Sequence, residues 1–296
     1  MNVIILGAGA IGSLYGAKLS KLNEVTLVAR KEHADKINKD GLKITGLENK
    51  TYRLKASTKV AEIREDTLVL LTTKVYGTKE AVSSIKDLVK KDTVILCLQN
   101  GLYSEDIAKK LIGKRCLVLR AVTNFGAAFL EPGIIQYNSC SYTAIEKNTK
   151  SFAIAKLFAE CGLNCCVSQD IKVDMWKKLI LNCVLNPVTS ILRIENRGIA
   201  DERLNPLKKL IVGECLKVAK KDGVEFDIDF VKEVNDAIKD SRNISSMQQD
   251  LLKGKTTEID YLNGAVAEMG GKYSIKCPVN SALVMIIKEM EKKAGK

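Results

Sequence analysis

The chain has 296 residues, 46% hydrophobic and 28% charged. That is ordinary globular composition and enough chain for two domains. With four prolines and no repeat or low-complexity tract, disordered, collagen-like and solenoid classes are excluded. The net charge is +12, but the excess is mostly lysine spread along the chain. No block of five or six like charges and no aromatic-rich basic motif occurs, which speaks against a nucleic-acid partner. A basic surface would still attract anionic small molecules.

No apolar stretch approaches the roughly 20 residues that span a bilayer. The longest, 179–192, is broken by Asn182, Asn186 and Pro187. The N-terminus lacks the basic region of a secretory signal. The expectation is a cytoplasmic protein with no membrane partner. The nine cysteines are odd in number and scattered, and Cys161, Cys165 and Cys166 have no second Cys/His pair at zinc spacing. They read as small buried residues in a reducing compartment, with no metal.

Residues 3–6 (VIIL) read as a buried strand. Gly7-Ala8-Gly9-Ala10-Ile11-Gly12 follows at once, then helical apolar spacing from Ser13 to Leu22, then a second strand at 25–29. A glycine motif at the strand-to-helix turn of a βαβ unit is the dinucleotide fingerprint. The first glycine permits the tight turn, the second lets backbone approach a pyrophosphate, and the third lets helix pack on strand. The helix N-terminus offers free N–H groups and a positive dipole end to the phosphates.

After the second strand the chain reads Ala29-Arg30-Lys31-Glu32. Arg30 stands where an NAD site carries an acid, so a 2′-phosphate is favoured and NADPH is the expected cofactor. Glu32 keeps NADH open. Strands at 68–72 and 93–98 are followed by Lys74 and by Gln99-Asn100-Gly101. Ligands bind at the carboxyl ends of parallel strands, so Lys74 and Asn100 are placed to face a nicotinamide or its substrate. Short strands recur from Cys116 to Val167 around Pro132-Gly133, with one helix from Ser151 to Cys161.

From Ile171 onward the periodicity is helical, with breaks expected at Gly198, Pro206, Gly223, Gly254 and Gly270-Gly271. The expected architecture is α/β: a Rossmann-type dinucleotide-binding domain over 1–168, then an all-helical substrate domain over 169–296. The only histidine, His33, lies near the expected adenosine end, which removes most His-based acid/base schemes.

The helical part opens with a run in which Lys178, Asn182 and Asn186 recur every four residues on one face. Their neighbours are apolar, so the amides must find protein partners or face a cavity that a polar ligand fills. Pro187 removes the donor for the Cys183 carbonyl, so a kink is expected there. Farther on, Gly254 ends a helix and Thr256 or Thr257 can cap the next, leaving Glu258 in a first turn favoured by the helix dipole.

Together these motifs resemble the ketopantoate reductase (2-dehydropantoate 2-reductase) family. They are the N-terminal GxGAIG, the lysine after the third strand, the QNG turn, the W-K-K-L-x-x-N-C-x-x-N-P helix and the SSM-Q-x-D…T-E-I-D-Y-x-N-G segment. The match runs over nearly the whole chain in the family's order. The resemblance implies NADPH-dependent reduction of 2-dehydropantoate to (R)-pantoate, on the route to pantothenate and coenzyme A, in a cleft between two domains. By position, Lys178 corresponds to the general acid and Glu258 to the carboxylate contacting the substrate hydroxyl. Asn182, Asn186, Asn196 and Ser246 match substrate-binding positions, and Asn100 one that touches substrate and cofactor. The remaining cofactor positions are Gly7, Ala8, Gly9, Ala10, Ile11, Gly12, Arg30, Lys74 and Ala127; around Ala127 the loop departs from the pattern. The alternatives are a reductase of another branched 2-oxo acid and a non-catalytic nucleotide-binding module. The reading allows a homodimer without fixing it.

Overall fold

The computed structural model describes residues 1–294. Contacts divide them into two compact units: Met1–Gln99 with Tyr103–Ile171, and Asn100–Leu102 with the chain from Lys172 onward.

The first unit begins with β1 (Asn2–Leu6), α1 (Ala10–Leu19), β2 (Glu24–Val28) and α2 (Lys31–Asp40). β3 (Leu42–Gly46), β4 (Lys50–Tyr52) and β5 (Lys55–Ser57) follow. Then come β6 (Thr67–Leu71), α3 (Thr78–Ser83), β7 (Val94–Cys97), α4 (Ser104–Ile112) and β8 (Leu117–Thr123). The unit ends with β9 (Gly126–Glu131), β10 (Ile134–Ser139), β11 (Thr143–Ile145), α5 (Ser151–Glu160) and β12 (Cys165–Val167).

Eight strands form one sheet in the order β12-β11-β8-β7-β6-β1-β2-β5. From β8 to β5 every pairing is parallel, and β11 runs antiparallel to β8. Strands covered on both faces need continuous apolar runs. β6 (TLVLL) and β7 (VILC) have them, and every residue is buried. Alternation sends Ile5, Leu68, Leu70 and Leu96 into one core and Leu6, Val69, Leu71, Ile95 and Cys97 into the other. From β1 the chain winds outward to β2, then returns to β6 on the other side. The crevice of a doubly wound sheet lies at such a switch point, past the strand carboxyl ends.

A second sheet, β4-β3-β10-β9, is not expected from the sequence, although β10 falls among the short strands expected around Pro132-Gly133. β3 pairs parallel with β10, Lys43 opposite Ile134. Leu42, Ile44, Ile135 and Tyr137 join the core that holds Ile5.

The second unit contains α6 (Ile171–Leu192), α7 (Asn205–Lys221), α8 (Phe230–Ile238), α9 (Ser246–Leu252), α10 (Asn263–Lys272) and α11 (Pro278–Ala294). Short 3-10 turns cover Asn196–Ala200, Glu202–Leu204 and Ile259–Tyr261. Gly223 and Gly254, both at positive φ, follow α7 and α9 as expected. Two expected breaks fall elsewhere. Pro206 opens α7, where its missing N–H costs nothing. Gly270 and Gly271 lie in the last turn of α10, where a Cβ on Gly270 would sit 2.8 Å from the Ile275 carbonyl oxygen. Among the described residues no helix is long and apolar enough to cross a membrane.

Candidate active site

The glycine turn is built for close approach. Gly7 sits at φ +109°, and a Cβ there would fall 2.5 Å from the Thr73 nitrogen. A Cβ on Gly12 would fall 2.5 Å from Thr72 Oγ1. Both requirements come from the protein's own packing. Gly9 differs: nothing lies within 4 Å of its Cβ position, so the space above it is open to a ligand. The Gly7 and Ala8 N–H groups donate to the Val28 carbonyl at 3.2 and 2.8 Å, which pins the turn to the end of β2. No side chain caps α1 and no acid stands in its first turn, so its N–H groups stay available to an anion.

Arg30 follows β2 as the residue before α2 and is exposed. Its guanidinium makes no ion pair or hydrogen bond among the described residues. The adjacent Lys31 is paired to Asp35 at 2.5 Å. Lys74 lies past the carboxyl end of β6, half-buried, just before a 3-10 turn. Past β7, Gln99 is buried and donates from Nε2 to Thr78 Oγ1 at 3.0 Å. The Arg120 guanidinium donates to the Gln99 carbonyl at 2.8 Å. The side chain of the next residue, Asn100, has no hydrogen-bond partner. Gly101 (φ +76°) lets Leu102 reach the Tyr261 carbonyl with its N–H, at 3.2 Å.

Ala127 lies within β9, opposite Tyr137 and packed on the core, just past the short loop that follows β8. His33 is buried beneath the glycine turn. The Gly133 N–H donates to its Nδ1 at 2.8 Å, so the ring proton sits on Nε2 and points to Ser13 Oγ at 3.1 Å. Ser13 in turn donates to the Ala8 carbonyl at 3.3 Å. Burial pulls the imidazole down to about 4, so it stays neutral at pH 7.

In the second unit, α6 is held at three points. Trp176 Nε1 donates to Asp222 Oδ2 at 2.8 Å. Asn263 Nδ2 donates to the Cys183 carbonyl at 3.0 Å, the acceptor that Pro187 leaves without its ladder donor. Thr189 Oγ1 bonds Ser245 Oγ at 2.9 Å. Between these anchors stand Lys178 and Asn182, both half-buried, and Asn186, 5% exposed. The neighbouring Lys177 is paired to Glu233 at 3.2 Å. The amides of Asn182 and Asn186 hydrogen-bond no described residue. Partners within the protein were the alternative that the sequence left open, and they are not there.

Ser245, which the sequence reading passed over, caps α9 by accepting from the Gln248 N–H. Its neighbour Ser246 is exposed, with an unbonded hydroxyl. Asn196 opens a 3-10 turn, and its N–H donates to the Asn243 carbonyl at 2.8 Å. Its Oδ1 is buried with no partner. Lys208, fully buried, secures that turn by donating to the Ile199 carbonyl at 2.7 Å. Glu258 is buried but is not in the first turn of an α-helix. Thr257 Oγ1 accepts from the Ile259 N–H, and a 3-10 turn follows that the Leu262 backbone ends before α10 begins. The helix-dipole explanation for the carboxylate therefore falls. All nine cysteines are free, and among the described residues no group of three or more His, Cys, Asp or Glu could hold a metal.

Comparison with known proteins agrees across the chain. The family model described as "Ketopantoate reductase PanE/ApbA" matches residues 3–149, and "Ketopantoate reductase PanE/ApbA C terminal" matches 170–291. A 2-dehydropantoate 2-reductase of Pyrococcus horikoshii is 36% identical over 100% of this chain and 99% of its own. One from Archaeoglobus fulgidus is 30% identical over 98% of each. Among solved structures, a PanE/ApbA family ketopantoate reductase from Ralstonia eutropha matches with TM-score 0.91 and 29% identity over the whole of both chains. A D-mandelate dehydrogenase bound to NADH and anilino(oxo)acetate matches with TM-score 0.90 and 27% identity, also over both whole chains. With both family models matched and curated relatives aligned end to end, the chain belongs to the ketopantoate reductase family.

Proposed function

We propose that this chain reduces 2-dehydropantoate to (R)-pantoate with NADPH, residues 1–168 holding the dinucleotide and 169–296 supplying the catalytic and substrate-binding groups. One observation carries the reading. The amides of Asn100, Asn182 and Asn186 and the hydroxyl of Ser246 have no protein partner, and neither does Asn196 Oδ1. Asn186 is buried, Asn100 and Asn182 are half-buried and Ser246 is exposed, so these groups are open to a ligand rather than spent within the protein, and their coincidence with motif positions supports a polar ligand.

The first unit fits a dinucleotide. Gly9 leaves room for a pyrophosphate, α1 offers uncapped N–H groups, and the unengaged Arg30 suits a 2′-phosphate. Bound there, the cofactor supplies a hydride to the ketone carbon. Lys178 stabilises the charge that develops on the ketone oxygen and delivers the proton that completes the alcohol. Asn182, Asn186 and Asn196 orient the substrate without adding charge. Glu258 accepts from a substrate hydroxyl, which rejects acids that lack one. The free thiols support a reducing compartment, the cytoplasm.

A second reading has its own support. The D-mandelate dehydrogenase with an aryl oxo-acid analogue and NADH has the same fold at 27% identity, so an aryl 2-oxo acid is the competing substrate. Turnover of 2-dehydropantoate against an aryl 2-oxo acid, each with NADPH and NADH, decides the matter. A kcat/KM highest for 2-dehydropantoate with NADPH supports the first reading, and preference for the aryl acid overturns it.

A further inference from the structure

Pro187 stands inside α6, between the turn that carries Asn182 and the end of the helix. It has no N–H, so the Cys183 carbonyl loses the donor four residues on. A buried carbonyl without a partner is costly, and this one is satisfied from outside the helix by Asn263 Nδ2 at 3.0 Å. Asn263 opens α10 and is fully buried.

Its orientation is dictated by a chain of partners. Glu214 of α7 can only accept. It takes the Val279 and Asn280 N–H groups, both at 2.9 Å, and Asn280 Nδ2 at 2.7 Å. That fixes which way the Asn280 amide faces, so its Oδ1 turns to Asn263 and accepts at 2.9 Å. Asn263 therefore presents its amino group to two acceptors at once, Asn280 Oδ1 and the Cys183 carbonyl. Its own Oδ1 is left buried and unpaired. A residue kept in this state for stability alone would be a poor solution, because one buried oxygen stays unsatisfied.

The carbonyl it holds lies between Asn182 and Asn186, the two amides of α6 that bond no described residue. We infer that Asn263 is a positioning residue for the reaction: by holding the Cys183 carbonyl it bridges the gap that Pro187 leaves in the hydrogen-bond ladder of α6, which runs on as one helix, and so it fixes the direction in which Lys178 and Asn182 point relative to Asn186. The inference rests on the reading of Lys178, Asn182 and Asn186 as the groups that meet the substrate. A misplacement near 1 Å at such a site costs on the order of 10²-fold in rate.

The test measures kcat and KM for 2-dehydropantoate, NADPH affinity and thermal stability in four variants. Asn263→Ala removes the donor, and roughly a 10- to 100-fold loss in kcat is expected with NADPH affinity within about twofold. Pro187→Ala added to it gives the Cys183 carbonyl a donor within its own helix. Stability should then recover while kcat stays low, because the carbonyl is held within its own helix and no longer from α10. Pro187→Ala alone leaves every acceptor paired and folds in any case, and its kcat should fall at least about fivefold. Wild-type kcat in that variant, or recovery of kcat together with stability in the double variant, overturns the inference and leaves Asn263 structural. Lys178→Ala run alongside separates the two readings. If it is inactive while Asn263→Ala and Pro187→Ala are fully active, only the positioning role fails. If Lys178→Ala is fully active, the site reading fails and the positioning role with it.

Discussion

Two sets of asparagines in the helical unit are buried under opposite rules. Asn263 and Asn280 are fully buried, and each spends both amino hydrogens on protein acceptors. Asn182 and Asn186, on the adjoining helix, spend none. The residue type is the same, so the difference lies in what the protein has arranged around each amide. Amides whose amino groups are saturated hold elements together, and those whose amino groups are unspent wait for something the chain does not contain. The rule concerns the amino groups and not the oxygens: Asn263 Oδ1, Asn205 Oδ1 and Gln248 Oε1 are also buried and unpaired, so one orphan oxygen does not mark a site. What sets Asn182 and Asn186 apart is that both amides bond no described residue and share one helix face with Lys178.

The largest effect that would break this contrast is on Lys178. Lys178→Ala should lower kcat by roughly 10²–10⁴ and leave NADPH binding nearly intact. Lys177→Ala is the control, because that ammonium is off the stripe in a well-exposed pair with Glu233 and should matter little. Steady-state kinetics that do not distinguish the two lysines would remove the special standing of the stripe.

Next in size is the saturated set. Asn280→Ala leaves Asn263 without its acceptor and takes one donor from the buried Glu214 carboxylate. The expected loss is about 3 kcal/mol in urea unfolding. His33 plays the same structural part under the glycine turn. Its folded pKa of about 4 lies below the ordinary 6.5, so the unfolded chain binds the proton first. Stability is fully present above pH 6.5 and is lost as pH falls toward 4, by on the order of 3 kcal/mol. Many carboxylates also titrate there, so the check is the difference in pH slope between wild type and His33→Gln. Equal slopes would mean that the buried ring is not the cause.

The unsaturated amides should behave the other way. Asn186→Ala breaks no hydrogen bond of the folded protein, so urea unfolding should change by less than about 1 kcal/mol. KM for the 2-oxo acid should rise roughly 10-fold or more. A large loss of stability with unchanged KM would place Asn186 with Asn263 and erase the contrast.

How much of this the sequence shows depends on distance along the chain. The β1–glycine turn–α1–β2 unit is local, and apolar period and spacing reveal it. So is the Lys178, Asn182, Asn186 stripe, since one helix face is written at intervals of four. The second sheet is not, because β3 meets β10 across some ninety residues and its strands are short and half-polar. The surroundings of Glu258 were misread for a related reason: a threonine cap signals that something helical follows, not whether Leu262 will cut it to a 3-10 turn. The saturated network was half visible. Pro187 announces that the Cys183 carbonyl needs a donor, but the donor lies eighty residues on, and only the fold brings it there.

The smallest effect tests the same idea at the nucleotide end, where the unengaged group is a cation. Arg30 has no protein partner, while Lys31 beside it is paired to Asp35. If Arg30 is held in reserve for a 2′-phosphate, Arg30→Asp should cut the NADPH/NADH ratio of kcat/KM by about 10-fold or more and leave folding unchanged. A carboxylate there would repel the phosphate and accept from a ribose 2′-hydroxyl, so both terms move the ratio the same way. Lys31→Ala should change it far less, since that ammonium already has its counter-charge. An unchanged ratio in Arg30→Asp would show that an unpaired surface cation, unlike an unpaired buried amide, carries no information about what the protein binds.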